Sequence, residues 1–171
     1  RDRKYNVKAL IVLGFKPDSA HQLSSYPTGE QIHTVAQQIR DYKGDLLIGA
    51  EACFSQLATL SRRTFFGSLN YGVTRGCGAG TDGISVTVEG RLTPCRHLEI
   101  EEEYEHIMDY WQQSEFLKKL RAVTKNRKAP CKGCRWEQNC LPCQAVGIKL
   151  HDELNYGMAE CPVAEPAETV S

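Results

Sequence analysis

The sequence lacks any bias of charge: 21 Lys and Arg stand against 21 Asp and Glu in 171 residues. A neutral balance supplies no electrostatic pull toward nucleic acid or an anionic membrane surface, and neither is expected as a partner. A long apolar run is missing too. The longest strongly apolar stretch is A-L-I-V-L at residues 9–13, against about 20 residues for a membrane-spanning helix. Nor does a secretory segment open the chain. It begins R-D-R-K at Arg1 rather than at Met, and the expectation is that further chain precedes it. Together these absences lead to a cytoplasmic expectation.

What the chain has in plenty is cysteine, eight in all. Without a secretory segment, thiols in this number argue for a reducing compartment and metal ligation rather than disulfides. The plain alternative, a four-disulfide secreted domain, belongs to chains under about 100 residues.

The first seventy residues alternate between strand and helix. Residues 5–15 begin by alternating and then become continuously apolar, as a strand buried on both faces of a parallel sheet does. Thr28 with Gln31 makes a capping box. Ile32, Val35, Ala36 and Ile39 follow at helical spacing. Leu46, Leu47 and Ile48 give a second buried strand, and Leu57 with Leu60 a helix over residues 55–63. This β-α-β-α order implies parallel strands. Two such strands read as the closing units of a partial TIM-like (β/α) barrel, an α/β fold, over residues 1–69. Loops at the carboxyl ends of barrel strands face the active site, which places His21, Glu51 and Cys53 there. The plain alternatives are a solvated Glu, a packing Cys and surface histidines, His33 included.

Gly78, Gly80 and Gly83 match G-x-G-x-x-G, but the alternating Ile84, Val86 and Val88 that follow read as a strand. The dinucleotide fingerprint needs a helix there, so it is rejected. The glycines instead let the backbone turn tightly beside Cys77. Residues 83–95 read as a β-hairpin turning at Glu89-Gly90, with Cys77 and Cys95 brought to one end. Residues 101–113 read as an amphipathic helix with Tyr104, Ile107, Met108 and Trp111 on its stripe, its E-I-E-E-E start solvated. Ser114 caps a further helix bearing Phe116, Leu117, Leu120 and Val123. The aromatics read as core, His97 and His106 as structural, and the basic residues 118–128 as solvated surface.

Cys131, Cys134, Cys140 and Cys143 form C-x2-C-x5-C-x2-C. A four-thiolate zinc site places its two Cys-x-x-Cys pairs about 15–20 residues apart. A ferredoxin-like run uses C-x2-C-x2-C-x3-C-P. The pattern is neither, and Cys77, Cys95 and Cys161 remain over.

Taken together the thiols resemble the SPASM domain, the cysteine-rich extension of many radical S-adenosylmethionine (radical SAM) enzymes. Cys77 is followed by twelve residues, Gly90, R-L-T-P and Cys95; then come Cys131, Cys134, Cys140 and Cys143, and finally Cys161. The resemblance covers residues 70–162, with 163–171 expected as a disordered tail. It implies a small cysteine-rich α+β domain holding two auxiliary [4Fe-4S] clusters. Cys77, Cys95 and Cys143 would hold the first, and Cys131, Cys134, Cys140 and Cys161 the second. The last pair is one residue shorter than the family's C-x3-C. Tyr71 stands where some members carry a further cysteine. The first cluster would then have three thiolates and an open iron, with Cys53 a candidate fourth ligand. The family acts largely on peptides and proteins, making thioether, carbon–carbon or epimerised products, and takes electrons from a reductant such as a flavodoxin or ferredoxin. The resemblance also implies S-adenosylmethionine and a third [4Fe-4S] cluster on C-x3-C-x2-C, a motif found nowhere in this sequence. The rival readings are a non-catalytic iron–sulfur electron carrier and a zinc-binding interaction module.

Overall fold

The computed structural model describes residues 7–62, 76–98, 100, 102–154 and 161–165. Its first half is built on two parallel strands, β1 (Ala9–Val12) and β2 (Leu47–Ala50), with Ala9 opposite Leu47 and Val12 opposite Ala50. Between them runs α1 (Gly29–Asp41). Thr28 Oγ1 accepts from the Gln31 amide at 3.2 Å, and the Gln31 side chain accepts from the Thr28 amide at 2.9 Å. This is the capping box read from the sequence, worth about 1 kcal/mol. The buried stripe Ile32, Ala36 and Ile39 packs on Ala50 and on Leu57, Ala58 and Leu60 around α2 (Ser55–Ser61). Each fully buried Ile or Leu contributes roughly 1.5–3 kcal/mol.

Two expectations for this half change. The strand is not buried on both faces: Ile11 in β1 and Leu13 just beyond it, opposite the face of Val12, are 40% and 63% exposed. The helical layer of α1 and α2 takes Val12 and Ile48 into its core and leaves these other side chains in solvent. The tail is not disordered from residue 163 onward. Val163 is only 5% exposed and belongs to the core of α1 and α2. An apolar side chain placed against that core gains more by burial than its backbone loses by ordering. Gly29 makes the approach feasible, since a Cβ there would stand 2.2 Å from the Pro162 carbonyl oxygen. Glu165 holds the other side, accepting the Arg135 amide at 2.8 Å and pairing with its guanidinium at 3.2 Å. Residues 166–171, the expected boundary at 69–70, Tyr71 and the start of the 5–15 strand lie outside the described residues.

The second half opens on a glycine turn. The Asp82 amide donates to Gly78 at 2.8 Å and the Gly80 amide to Gly83 at 2.9 Å. The strand β3 (Ser85–Val86) follows, not a helix, so the nucleotide-binding context is missing here. β3 pairs antiparallel with β4 (Leu92–Thr93), and the Gly90 amide closes the turn onto Thr87 at 3.0 Å.

The acidic run is the clearest local correction. The helix expected over 101–113 is only α3 (Ile107–Gln113), and residues 102–104 are not helical. Glu102 is not a solvated helix start. Its carboxylate accepts from the Ser114 hydroxyl and from the Phe116 amide at 3.3 Å, at the start of α4 (Glu115–Ala122). A carboxylate suits the unsatisfied amides of a helix N-terminus, and here it serves the next helix along. The buried face shifts accordingly. Tyr110 is fully buried, while Ile107 and Met108 are more than half exposed. Ser114 caps α4 as expected, accepting from the Leu117 amide at 3.0 Å. A last helix, α5 (Gln144–His151), has no counterpart among the sequence expectations. Four consecutive residues, Gln144 to Gly147, are buried, so no single apolar stripe announces it. No described helix is long and apolar enough to cross a membrane.

Candidate metal centre

Cys131, Cys134, Cys140 and Cys161 line one cleft of about 370 Å³ including its open mouth. Three come from the loop between α4 and α5, which is a chain of tight turns. The Cys134 amide donates to Cys131 at 3.2 Å, and the Cys140 amide to Trp136 at 2.9 Å. The loop rests on α2. Ser55 Oγ and Cys140 Sγ share a hydrogen bond of 3.3 Å, and Thr59 Oγ1 donates to the Asn139 carbonyl at 3.1 Å. The fourth thiol arrives on the tail that Val163 and the Arg135–Glu165 pair fasten. Trp136 forms part of the wall. Its indole N–H is buried and has no hydrogen-bond partner among the described residues.

Two of the other thiols, Cys53 and Cys143, line a second cleft, of about 280 Å³ including its open mouth. Gly14, Lys16, Tyr26 and Phe54 line it with them. Cys77 joins through its backbone: its amide donates to the Leu141 carbonyl at 3.3 Å, two residues before Cys143. Gly76, at φ +88°, permits this docking, because a Cβ would stand 2.2 Å from the Leu141 carbonyl oxygen. Cys95 lies close enough for Cys77 to act on its charge, and the His97 amide donates to the Cys95 sulfur at 3.4 Å. Gln56 lines both cavities and Tyr26, whose phenol bonds Gln56, stands beside it.

Burial dominates the electrostatics. It pushes the Cys131 thiol up to about 12, with the charges of Cys140 and Cys161 adding to the effect. Cys95, Cys140, Cys143 and Cys161 are raised as well, burial first in each case. Cys77 moves the other way. Interaction with the Cys53 thiol holds it down, and the same interaction raises Cys53. Backbone amides of Ala79 and Gln144 also bond the Cys77 sulfur. Those of Ala145 and Val146 lie toward Cys143 without forming a capping bond.

Among the described residues, no three His, Cys, Asp or Glu side chains converge on a point where a single metal ion would sit. The thiols stand around cavities instead. In a four-iron cluster each thiolate binds a different iron, so the sulfurs surround a volume rather than a point. At the first cleft the donor set fits such a group: four soft thiolates, with an unpartnered N–H in the wall.

Family models, curated proteins and solved structures offer no match.

The remaining sequence candidates fall apart. His21 and His33 are exposed. Glu51 is not solvated: its carboxylate accepts from the Gly14 amide at 3.1 Å and from Lys16, tying together the loops after β1 and β2. Spacing alone does not reveal that Cys53 lines a cavity with Cys143, nor that Gln56, Tyr26 and Trp136 wall the cavities. The one available signal is that Cys53 follows a strand at its carboxyl end, where parallel sheets place their ligands.

Proposed function

We propose that this chain is the auxiliary-cluster portion of a radical SAM enzyme that modifies a peptide, with two [4Fe-4S] clusters. The observation that carries the reading is the division of the thiols around two separate cavities. Cys131, Cys134, Cys140 and Cys161 share one. Cys143 lines the other, and the Cys77 amide bonds Leu141, two residues before it. The sharing of one cleft by Cys131, Cys134, Cys140 and Cys161, with Cys143 on another, supports the partition that the motif order implies, in which Cys77, Cys95 and Cys143 would hold the first cluster. When bound, such clusters supply one-electron transfer and, where an iron lacks a protein ligand, a site for substrate.

The chain's own residues hold and shield these centres. Val163 and Trp136 wall the first cavity and limit water there. Amides of Ala79 and Gln144 donate to the Cys77 sulfur, favouring its thiolate. The exposed Ile11 of β1 and Leu13 just after it suit a face that the rest of a barrel would cover, since parallel sheets are covered on both faces. Those strands would carry C-x3-C-x2-C, the third cluster and S-adenosylmethionine. The substrate is a peptide or protein leaving as a thioether, carbon–carbon or epimerised product. Electrons come from a flavodoxin or ferredoxin, and the setting is the cytoplasm.

Metal and sulfide analysis of anaerobically purified protein tests the proposal. About eight irons per chain with matching acid-labile sulfide are expected from two clusters. Cys134→Ala and Cys77→Ala should each remove roughly half of the iron, four of the eight. Zinc at about one or two per chain without sulfide refutes it in favour of the zinc module.

A further inference from the structure

We infer that Arg127 is the counter-charge of the centre in the first cleft, the fixed cation that lets that centre accept an electron. The inference rests on the cluster reading of the four thiols there. It deepens that reading by naming the residue that sets how readily the centre is reduced.

Arg127 stands apart from the basic run it belongs to. Residues 118–128 hold six Lys and Arg and no Asp or Glu, and by sequence they read as solvated surface. Five of the six fit that reading or turn elsewhere. Lys118 pairs with Glu115 at 2.7 Å, and Lys128 pairs with Glu153, both pairs exposed. Arg121 donates to the Gly80 and Trp111 carbonyls at 2.7 and 2.8 Å, its guanidinium over the Trp111 ring. Lys119 and Lys125 are exposed. Arg127 alone of the six lines the cleft of Cys131, Cys134, Cys140 and Cys161. Its Nη1 donates to the Cys140 carbonyl. The guanidinium is thereby held against the backbone of a candidate ligand.

No carboxylate answers this charge. The ion pairs among the described residues do not include Arg127. Glu137 also lines the cleft, but its Oε2 accepts from the Gly133 amide at 2.9 Å. At the second cleft the lining cation, Lys16, is already paired with Glu51. Arginine keeps its charge throughout the working pH range. A half-buried cation with only a carbonyl for a partner is costly unless an anion stands near. Four thiolates around iron and sulfide make such an anion. Reduction adds negative charge to it, and net charge is among the quantities that set a cluster's potential. A fixed cation in the wall offsets the added charge, so the centre takes up its electron at a less negative potential.

The full chain, reconstituted anaerobically and checked for iron and acid-labile sulfide, is titrated against potential and followed by EPR. Wild type is compared with Arg127→Gln and Arg127→Lys. Cys134→Ala identifies the signal of the first cleft as the one it loses. Arg127→Gln should move that signal's potential to a more negative value and leave any other signal in place. Arg127→Lys keeps the charge and should stay close to wild type. An Arg127→Gln protein with full iron and an unmoved potential overturns the proposal. Where Arg127→Gln costs the first cleft its iron, Arg127→Lys decides. Iron kept with a potential near wild type supports the counter-charge; iron lost from both variants shows that the guanidinium only holds the Cys140 loop, and overturns it. Failure of the cluster reading itself looks different: wild type would contain zinc, or no acid-labile sulfide, and both proposals would fall together.

Discussion

Gly29→Ala should destabilise this protein, although the same change at an ordinary helix position stabilises. Gly29 is the first residue of α1, where exchanging Gly for Ala normally gains about 0.4–1 kcal/mol through the unfolded chain. Here the new Cβ would stand 2.2 Å from the Pro162 carbonyl oxygen and 3.2 Å from its carbon. Both are backbone atoms, so no side chain can swing away. Either α1 or the Cys161–Val163 segment must retreat. Overpacking of this kind costs roughly 1–3 kcal/mol, and displacing the buried Val163 adds to it. Set against the gain from Ala, the net loss is about 1–2 kcal/mol. With a urea slope of roughly 1–3 kcal/mol per molar, the midpoint should fall by about half to one molar. Because Pro162 is bonded to Cys161, iron at the first cavity should fall with it. Urea unfolding and iron analysis on one preparation read both effects. A variant that is more stable than wild type and keeps its full iron refutes the packing of the tail against α1.

Two further outcomes follow from named contacts. Trp136→Phe removes the unpartnered indole N–H from the wall of the first cavity. If that N–H bonds a cluster sulfur worth about 1 kcal/mol, its loss should lower that centre's one-electron potential by about 40 mV in a redox titration followed by EPR; two unchanged potentials refute the contact. Lys149 donates to Asp18 at 2.6 Å and lowers the pKa of its carboxyl. A depressed folded pKa means stability that is present above the ordinary carboxylate range and lost as pH falls through the folded value. Lys149→Ala should therefore return the Asp18 titration, followed by NMR, to the ordinary range, and should narrow the stability gap to wild type at low pH and high salt. An unmoved Asp18 titration counts against the pair.

What the sequence disclosed is what short-range chemistry governs. The Thr28–Gln31 box, the Ser114 cap and the turn at Gly90 are each set by residues a few places apart, and each stands where the pattern put it. The parallel pairing of β1 and β2 follows from their alternation with helices. Hidden features depend on contacts between distant segments. The docking of Cys77 on Leu141, which Gly76 permits, has no signal in the spacing of the cysteines. Val163 lies in a run of A, E, P and T that gives no pattern, and only the α1–α2 core makes it structural. Glu102 belongs by sequence to the approach to α3, yet its carboxylate serves α4. That Cys140 and Cys143 open on different cavities was legible only through motif order, because C-x2-C-x5-C-x2-C by itself suggests one site, not two.

Leu141 and Pro142, the two residues between Cys140 and Cys143, act as a ruler. Cys140 opens on one cavity and Cys143 on the other. Three residue steps span at most about 11 Å even when fully extended, and proline removes one of the soft dihedrals from that stretch. The separation of whatever the two cavities hold is thus capped by covalent bonds rather than by packing. Thermal breathing or a distant mutation cannot lengthen it; only an insertion between the two cysteines can. The family spacing C-x3-C would add one step, roughly 3.5 Å of reach. By omitting it, this chain keeps the two cavities, and anything bound in them, that much closer together.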